Sequence, residues 1–506
     1  MPCAASAERK EVNTEKRFGQ VFTPPELVRT ILDFAGYVDG NDLIRKHVID
    51  NSCGDGAFLV EVVRRYCSEY ARGGGGKAEL ARLLGKYVHG IEIDGEAHRA
   101  CIRNLDALVA ELGIPKVTWD VRLADSLSMS DFNGRMDFVV GNPPYVRVHN
   151  LDDDFARVKR YRFCGDGMTD LYLVFYEIGL QMLSSRGRLC YIAPSSWMTS
   201  MAGRNMRAYL RESGRLRGIA DLGHFQPFKA TTYTAIVLLE NGQRAECFSY
   251  GVYDISCGVR EVDVLSYDEA FFDGALFLGD RETLRWFREI KTARVPSRVE
   301  VKNGFATLAD SVFIADVFPF AAFTIPVVKA STGKWRKAFF PYDANGRPLS
   351  SATVFADRDV ADYLNARKDT LLKGRREEAC PDWFLYGRTQ ALRDVSRRKY
   401  AVNTVVRDVA SVKFNVAPEG TGVYGGLYIL SDVPERRLRE VLLCDSFIRY
   451  VAALGKYKSG GYYTFNSREL EQYLNFSLRD LTQSRGSCAQ HRQMRLSFDD
   501  GQEETK

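Results

Sequence analysis

Two kinds of apolar pattern alternate along the first half of the chain. Short β-rich blocks recur at HVID (47–50), VHGIEI (88–93), MDFVVG (136–141), RLCYIAP (188–194), LRGIADL (216–222) and TAIVLLE (234–240). Between them, stretches such as ELVRTILDFA, AFLVEVVRRYC, EAHRACIRNLDALVAEL and LYLVFYEIGLQML carry apolar residues at three- and four-residue spacing, which predicts amphipathic helices. Strands alternating with helices predict βαβ units and a parallel sheet covered on both faces, an α/β fold. After about residue 245 the alternation stops, and aromatic- and Arg-rich segments with many turn residues run to about residue 482. The expected organisation is a loose N-terminus (1–16), an α/β domain (17–245), a second domain (246–482) and a polar, disordered tail (483–506). There is no internal repeat.

At 506 residues the chain exceeds one ordinary core, which agrees with two domains. The net charge of +5 permits an anionic partner without demanding one, since a local basic patch matters more than the total. No segment has the length and apolarity of a signal peptide or a membrane span, so no membrane partner is expected. Eleven cysteines without a CxxC pair, and six histidines without a cluster, argue for reduced cysteines in a cytoplasm and against a metal site or a disulfide framework.

The candidate chemistry lies at the ends of the strand blocks. The first leads into VIDNSCGDGAFLVEVV, with Asp50 at its carboxyl end and Gly54 and Gly56 in the turn that follows. In open α/β sheets ligands bind outside the carboxyl ends of strands, and glycine there lets a ligand approach the backbone. The dinucleotide fingerprint GxGxxG is absent from this turn, and Asp50 suits a ligand carrying an ammonium group. Glu92 ends the next strand, in HGIEID, where an acid commonly accepts hydrogen bonds from ribose hydroxyls. Asp125 follows in VRLADSLSM, placed for an adenine amine. A tight turn or a solvated loop charge is the plainer reading of each one singly. Three acids at three successive strand ends suit a ligand with an amine and an adenosine, and S-adenosylmethionine fits. Two other motifs lead nowhere. GGGGKA (73–78) lacks the Ser or Thr of a P-loop, and Glu300-Val301-Lys302 lacks the paired acid of a nuclease centre.

The block VVGNPPYVRV (139–148) ends a strand in an amide, two prolines and an aromatic ring. Pro143 and Pro144 have fixed φ and no N–H, so the turn is stiff and its carbonyls are free to point outward. Asn142 and the Pro143 carbonyl offer two acceptors for a planar amine, and Tyr145 offers a face on which its ring can stack. A strand-terminating turn is the bland alternative.

These residues resemble the gamma-class, TaqI-like N6-adenine DNA methyltransferases of type II restriction–modification systems. The matching runs are GQVFTPPEL (19–27), DNSCGDGAFL (50–59), HGIEID (89–94), ADS (124–126), GNPPY (141–145), DLYLVFYEIGL (170–180), GRLCYIAPSSW (187–197) and FKATTYTAIVLL (228–239), in the family's order. The resemblance implies a Rossmann-like S-adenosylmethionine-dependent methyltransferase sheet over residues 17–245 and an α+β target-recognition domain over 246–482. It implies that Thr23 binds the amino-acid end of the cofactor, with Asp50 at its ammonium, Glu92 at its ribose and Asp125 at its adenine. Cys53, Gly54, Ile93, Ser126 and Asn142 complete the expected cofactor-binding set. Some relatives have Phe where this chain has Ser126, so adenine packing in that corner differs. Asn142, Pro143, Pro144, Tyr145 and Phe228 would form the catalytic pocket, with Tyr145 and Phe228 stacking on either face of a flipped base; the alternative for Phe228 is a core position. The implied partners are double-stranded DNA and a cognate restriction endonuclease sharing its site, and a monomer is expected. With cofactor motifs starting by Thr23, no nuclease domain upstream of them is expected.

The second half is less legible. WFLYGRTQALRDVSRRKYAVNTVVR carries Arg388, Gln390, Arg393, Arg397, Arg398 and Lys399 among aromatics, and KYKSGGYYTFN carries Lys456 and Lys458 beside a glycine turn. Arg388 and Gln390 suit base edges, while Lys456 and Lys458 suit phosphates. Each run alone reads equally as a solvated basic surface. The rival functions are an NPPY methyltransferase acting on RNA or on a protein glutamine, and a catalytically silent DNA-binding protein on the same scaffold.

Overall fold

In the computed structural model, which describes residues 23–146, 155–165, 170–228, 232–374 and 376–482, the apolar blocks of the first half assemble into one nine-stranded sheet. Its strands are β1 (Val48–Asp50), β2 (Val88–Glu92), β3 (Asp120–Leu123), β4 (Met136–Gly141), β5 (Leu183–Pro194), β6 (Leu216–Asp221), β7 (Thr234–Glu240), β8 (Cys247–Asp254) and β9 (Gly258–Ser266). The spatial order is β3-β2-β1-β4-β5-β7-β6-β8-β9. Within the run β3-β2-β1-β4-β5 each pair is parallel, as the alternating pattern predicts. Strand β7 is antiparallel to both β5 and β6, and β9 to β8, so the sheet is mixed rather than wholly parallel. The described part of the linker between β6 and β7 contains Pro227 and no helix. Without a crossover helix the chain returns in the opposite direction, and β7 slots between β5 and β6.

The helices cover this sheet because their stripes demand it. Helix α1 (Pro25–Ala35) starts with proline at N1, buries Leu27, Val28, Ile31, Leu32 and Ala35, and stops at left-handed Gly36. Helices α2 (Ala57–Arg72), α3 (Lys77–Tyr87) and α4 (Gly95–Glu111) likewise bury one apolar face each. Helix α5 (Leu171–Met182) is buried on nearly every side, which explains its continuous apolar run. The GGGGKA run leads into α3, where Lys77 Nζ donates to the Leu112 carbonyl at 2.9 Å.

The chain divides into two units, and not at residue 245. One runs to Thr292 and takes in Val405–Ser411 and Ile448–Phe465; the other comprises Ala293–Thr404, Val412–Phe447 and the chain from Asn466. Strands β8 and β9 continue the first unit's sheet past residue 245. They are half-exposed, so they lack the dense apolar runs of the central strands. The two later segments build a small sheet in which Tyr462–Thr464 pairs with both Val405–Val406 and Tyr457–Lys458. Composition cannot register such returns, because it reports sequence neighbours only.

The second unit contains two four-stranded sheets. One orders Glu300–Asn303, Leu427–Leu430, Lys399–Val402 and Phe414–Ala417; the other orders Ile314–Ala315, Lys334–Phe339, Thr324–Lys329 and Gly422–Tyr424. An aromatic core with Phe313, Phe339, Trp383, Phe384 and Tyr386 lies alongside short helices. Lys302 Nζ lies 2.9 Å from Glu300 and 3.1 Å from Asp394, so the Glu-Val-Lys tripeptide is part of a structural ion pair. Among the described residues no helix is long and apolar enough to cross a membrane. The loose N-terminus expected for 1–16 and the disordered tail expected for 483–506 lie outside the described residues.

Candidate active site

Strand order reverses at β1, which has β2 on one side and β4 on the other. This is the switch point at which an open sheet leaves a crevice beyond its carboxyl ends. Asp50 ends β1 and is 2% exposed. Its Oδ1 accepts from the Ser52 N–H at 3.0 Å, and no cation answers its charge among the described residues. Burial, with the nearby Glu92 charge adding to it, pushes the Asp50 carboxyl up to about 8. Space for Asp50 is made by Gly141, where a Cβ would come within 2.6 Å of Oδ1. The neighbouring turn is equally constrained. Gly54 has φ +56°, and a Cβ there would face open space, so its glycine answers the backbone rather than crowding.

Glu92 ends β2. Its Oε2 accepts from the Gly54 N–H and its Oε1 from the Asp94 N–H, both at 2.8 Å, which locks the carboxylate against the Cys53–Gly54 turn. Cys53 is buried, and its N–H donates to the Ile91 carbonyl at 3.0 Å. Beyond Glu92, Ile93 is 52% exposed, and Leu123, at the end of β3, is 56% exposed. Two exposed branched apolar side chains at adjacent strand ends are surface that a flat ring would cover.

Asn142 follows β4, and its Nδ2 donates to Thr23 Oγ1 at 3.2 Å, bringing together two residues 119 positions apart. Its backbone carbonyl faces Ser52 Oγ at 3.4 Å. Pro143 is buried, and Pro144 and Tyr145 are half-buried. Thr23, Asp50, Cys53, Gly54, Glu92 and Asn142 thus lie along the carboxyl edge of the sheet's parallel half.

Three expectations are altered by the geometry. Asp125 Oδ2 accepts from Arg157 Nη2 at 2.7 Å, so its charge is answered within the protein, and an adenine amine would share it. Ser126 is buried and donates to the Asn51 carbonyl at 2.6 Å, so a backbone-directed hydroxyl stands where some relatives have a ring. Tyr145 and Phe228 are neighbours, with centroids 6.1 Å apart, but their planes meet at 76°, edge to face rather than as two parallel walls. Phe228 is 7% exposed and packs in the core cluster, and the Tyr145 hydroxyl donates to the Ile192 carbonyl at 3.4 Å.

The basic candidates separate. Arg388 is exposed, after Gly387 in a loop of the second unit. Gln390 Nε2 donates to the Gly304 carbonyl at 2.6 Å, so it braces the loop rather than facing outward. Lys399 is 1% exposed and donates to the carbonyls of Asp394, Val395 and Arg397, while Arg397 and Arg398 reach Asp394 and Glu435. Lys456 and Lys458 belong to the first unit, not the second. Sequence reasoning missed Arg157, whose partner lies 32 positions earlier, and Tyr457, whose hydroxyl donates to Asp221 across 236 positions. No local pattern marks such pairs.

A family model described as Eco57I restriction-modification methylase matches residues 89–228. The Type II methyltransferase M.BstVI of Geobacillus stearothermophilus is 33% identical over 235 residues, 44% of this chain and 42% of the relative. M.XhoI of Xanthomonas vasicola is 33% identical over 232 residues, with the same shares. The matched segment therefore spans less than half the length of these curated relatives. Among solved structures, the Type IIL restriction-modification enzyme MmeI in complex with DNA superposes with a TM-score of 0.59 at 13% identity, covering 91% of this chain and 64% of that one. The DrdV–DNA complex gives 0.52 at 12% identity, covering 94% and 58%. At such identities the likeness is one of fold. Residues 89–228 are thus similar to the Eco57I restriction-modification methylase family, and the motif order and sheet topology of the first unit agree with that likeness.

Proposed function

We propose that this protein is a gamma-class DNA methyltransferase that moves a methyl group from S-adenosylmethionine to the N6 amine of a flipped adenine, with the second unit reading the target sequence. The observation that carries this reading is the Asn142–Thr23 contact beside the buried Asp50 carboxylate at the switch point. A buried carboxyl with no cation beside it resists ionisation in the resting protein, and it suits a ligand that brings a positive charge. Asp50 would take the cofactor's ammonium, Glu92 its ribose hydroxyls, and Ile93 its adenine face. Thr23 would take the amino-acid end.

S-adenosylmethionine, when bound, supplies a methyl group on a sulfonium leaving group. The residues of the chain then have a positioning task. An adenine amine is a poor nucleophile because its lone pair is delocalised into the ring. Asn142 Oδ1 and the Pro143 carbonyl accept its two hydrogens, which draws the nitrogen towards tetrahedral geometry and frees the lone pair. Fixed acceptors of this kind favour the charge that develops during transfer, with no strong base required. Such a pocket cannot reach a base inside a duplex, so the adenine leaves the stack. Tyr145 and Phe228 must turn from their edge-to-face contact and part by the thickness of a base to hold it. A methylated site also protects DNA from an endonuclease of the same specificity, which is the role proposed for the chain in its host.

The test is methyl transfer from labelled S-adenosylmethionine to DNA from a methylation-deficient host, followed by nucleoside analysis. The expected product is N6-methyladenine, absent with Asn142→Ala. Label on cytosine, or on RNA or protein alone, overturns the reading.

A further inference from the structure

The hairpin of Tyr457–Lys458 and Tyr462–Thr464 comes late in the sequence, yet it belongs to the first unit. Its register pairs Tyr457 with Tyr463 and Lys458 with Tyr462, which leaves Ser459, Gly460 and Gly461 as the loop. Both glycines have φ +77°, where L side chains are strained, so the tip is necessarily bare backbone. Lys458, Ser459 and Gly460 are exposed, and the Lys458 ammonium has no ion-pair partner among the described residues. Next to the tip, the Arg407 guanidinium lies 5.3 Å from the Tyr462 ring centroid and is neutralised by Asp408 at 3.1 Å. The charge left unanswered at the tip is therefore the positive one of Lys458.

The inner face of the hairpin is the opposite of its tip. The Tyr457 hydroxyl donates to Oδ2 of Asp221, a buried carboxylate at the carboxyl end of β6 whose Oδ1 accepts from the Gly223 N–H at 2.9 Å. His224 is ringed edge-on by Tyr463 at 4.8 Å, Tyr457 at 4.9 Å and Tyr233 at 6.2 Å. Both His224 nitrogens, Gln226 Nε2, the Tyr233 hydroxyl and Thr234 Oγ1 are buried without a hydrogen-bond partner among the described residues. Native folds retain few such groups, and a cluster of them marks a place where order is spent on something besides stability. The stretch from Asp221 to Phe228 also carries the ring proposed above for the flipped base. The hairpin thus grips that stretch at Asp221 and His224, and the start of β7 at Tyr233.

We infer that the hairpin 456–464 is a DNA-backbone clamp of the catalytic unit, in which Lys458 and the glycine tip take a phosphate of the target strand while Tyr457 and His224 are positioning residues that tie the clamp to the Phe228 stretch. The inference rests on the proposed DNA substrate. The occupant is a phosphate because the tip offers a cation, a hydroxyl and bare backbone, the donor set that positions nucleic acid without reading it. The Asp221–Tyr457 bond then lets backbone engagement bear on how Phe228 meets the base.

The experiment uses the full chain and a duplex bearing the motif found by sequencing DNA that the wild type has methylated. Failure of the wild type to methylate DNA would dispose of the function itself, separately from the clamp. Lys458→Ala should weaken DNA binding at every sequence and reduce the slope of log affinity against log salt by about one unit, with the motif unchanged and Lys458→Arg restoring the slope. Tyr457→Phe removes one oxygen. It should keep the slope and the cofactor affinity, lower kcat about tenfold, and alter the fluorescence of 2-aminopurine at the target position. An unchanged salt slope in Lys458→Ala, or a changed motif, overturns the clamp. Unchanged kcat and fluorescence in Tyr457→Phe overturn the coupling. Loss of cofactor affinity along with turnover in both Tyr457→Phe and His224→Asn would assign the contact to folding alone and also overturn it.

Discussion

Polar groups are used differently at the carboxyl edge of the first unit's sheet and in the loop 387–399 of the second unit. At the sheet edge Asp50 is buried with one backbone N–H for company, Gly54 faces open space, and Ile93 lies half in solvent. In the loop Gln390 and Lys399 are bound by carbonyls of their own unit, Arg397 and Arg398 pair with its carboxylates at the surface, and Arg388 and Arg393 are left exposed. A region that does chemistry holds back its bonding capacity for a ligand. A region that merely holds its shape uses that capacity internally. Charge density along the sequence does not separate the two, whereas partners in the fold do.

The strongest way to break this contrast is at Asn142. Asn142→Ala removes an acceptor that acts on the reacting amine, so turnover should fall by about 10²–10³ or more, as when one positioned transition-state group is lost. Cofactor affinity, measured by calorimetry, should stay within about threefold, a fraction of the 1.4 kcal/mol that a factor of ten represents. Near-normal turnover would mean that the edge of β4 is only a turn.

Asp50 comes next. In the cofactor-free protein its carboxyl is held near 8 by burial, so at pH 7 it is mostly protonated. A cationic ligand favours the ionised form, and binding at pH 7 should release a proton. Cofactor affinity should therefore rise with pH up to about 8 and then level off. Folding has the opposite sign. The folded value lies above the ordinary 3.8, so the contribution of Asp50 to cofactor-free stability is complete below that value and is lost as pH rises through about 8. Asp50→Asn should cost about 1.5–3 kcal/mol of cofactor affinity and abolish the proton release, read by calorimetry in buffers of different ionisation enthalpy. Unchanged affinity and proton release would place the ammonium elsewhere.

The same contrast explains what could be read beforehand. Parallel strands buried on both faces write themselves as dense apolar blocks, and the residue after each block lands on the carboxyl edge, so Asp50, Glu92 and Asn142 were legible. The reversal of β7 and the half-exposed β8 and β9 carry no comparable signature. The side-chain partners were also hidden, because Arg157 on Asp125 and Tyr457 on Asp221 depend on contacts between distant segments. In the second unit, lysine and arginine are as able to cap carbonyls as to meet DNA, and spacing cannot say which. Lys399 took the first course, and its amine is lowered to about 8 by burial.

Arg388 sharpens the comparison at smaller cost. It is exposed, as Arg393 is, and it follows Gly387, against which the Leu308 side chain packs. If it reads a base edge, Arg388→Ala should relax choice at one base pair by about 1–3 kcal/mol. Sequencing of methylated DNA would then show sites differing at one position. An unchanged motif with uniformly weaker binding would make Arg388 a phosphate contact.

The smallest effect is expected at Gln390, two residues away. Its Nε2 donates to the Gly304 carbonyl at 2.6 Å, so its amide is committed to bracing the loop against the strand that ends at Asn303. Gln390→Ala should remove one neutral hydrogen bond, worth about 1 kcal/mol, and lower the melting temperature by about 2–4 °C for a unit of this size. The methylated motif should not change. Gln390→Glu, which keeps the size but loses the donor, should destabilise as much or more, since a carboxylate would then face a carbonyl oxygen. A motif that loses its preference at one adenine in Gln390→Ala, with stability intact, would show that the bond to Gly304 opens on DNA. Gln390 would then be a base reader, and internal bonding in this loop would no longer separate structural from functional residues.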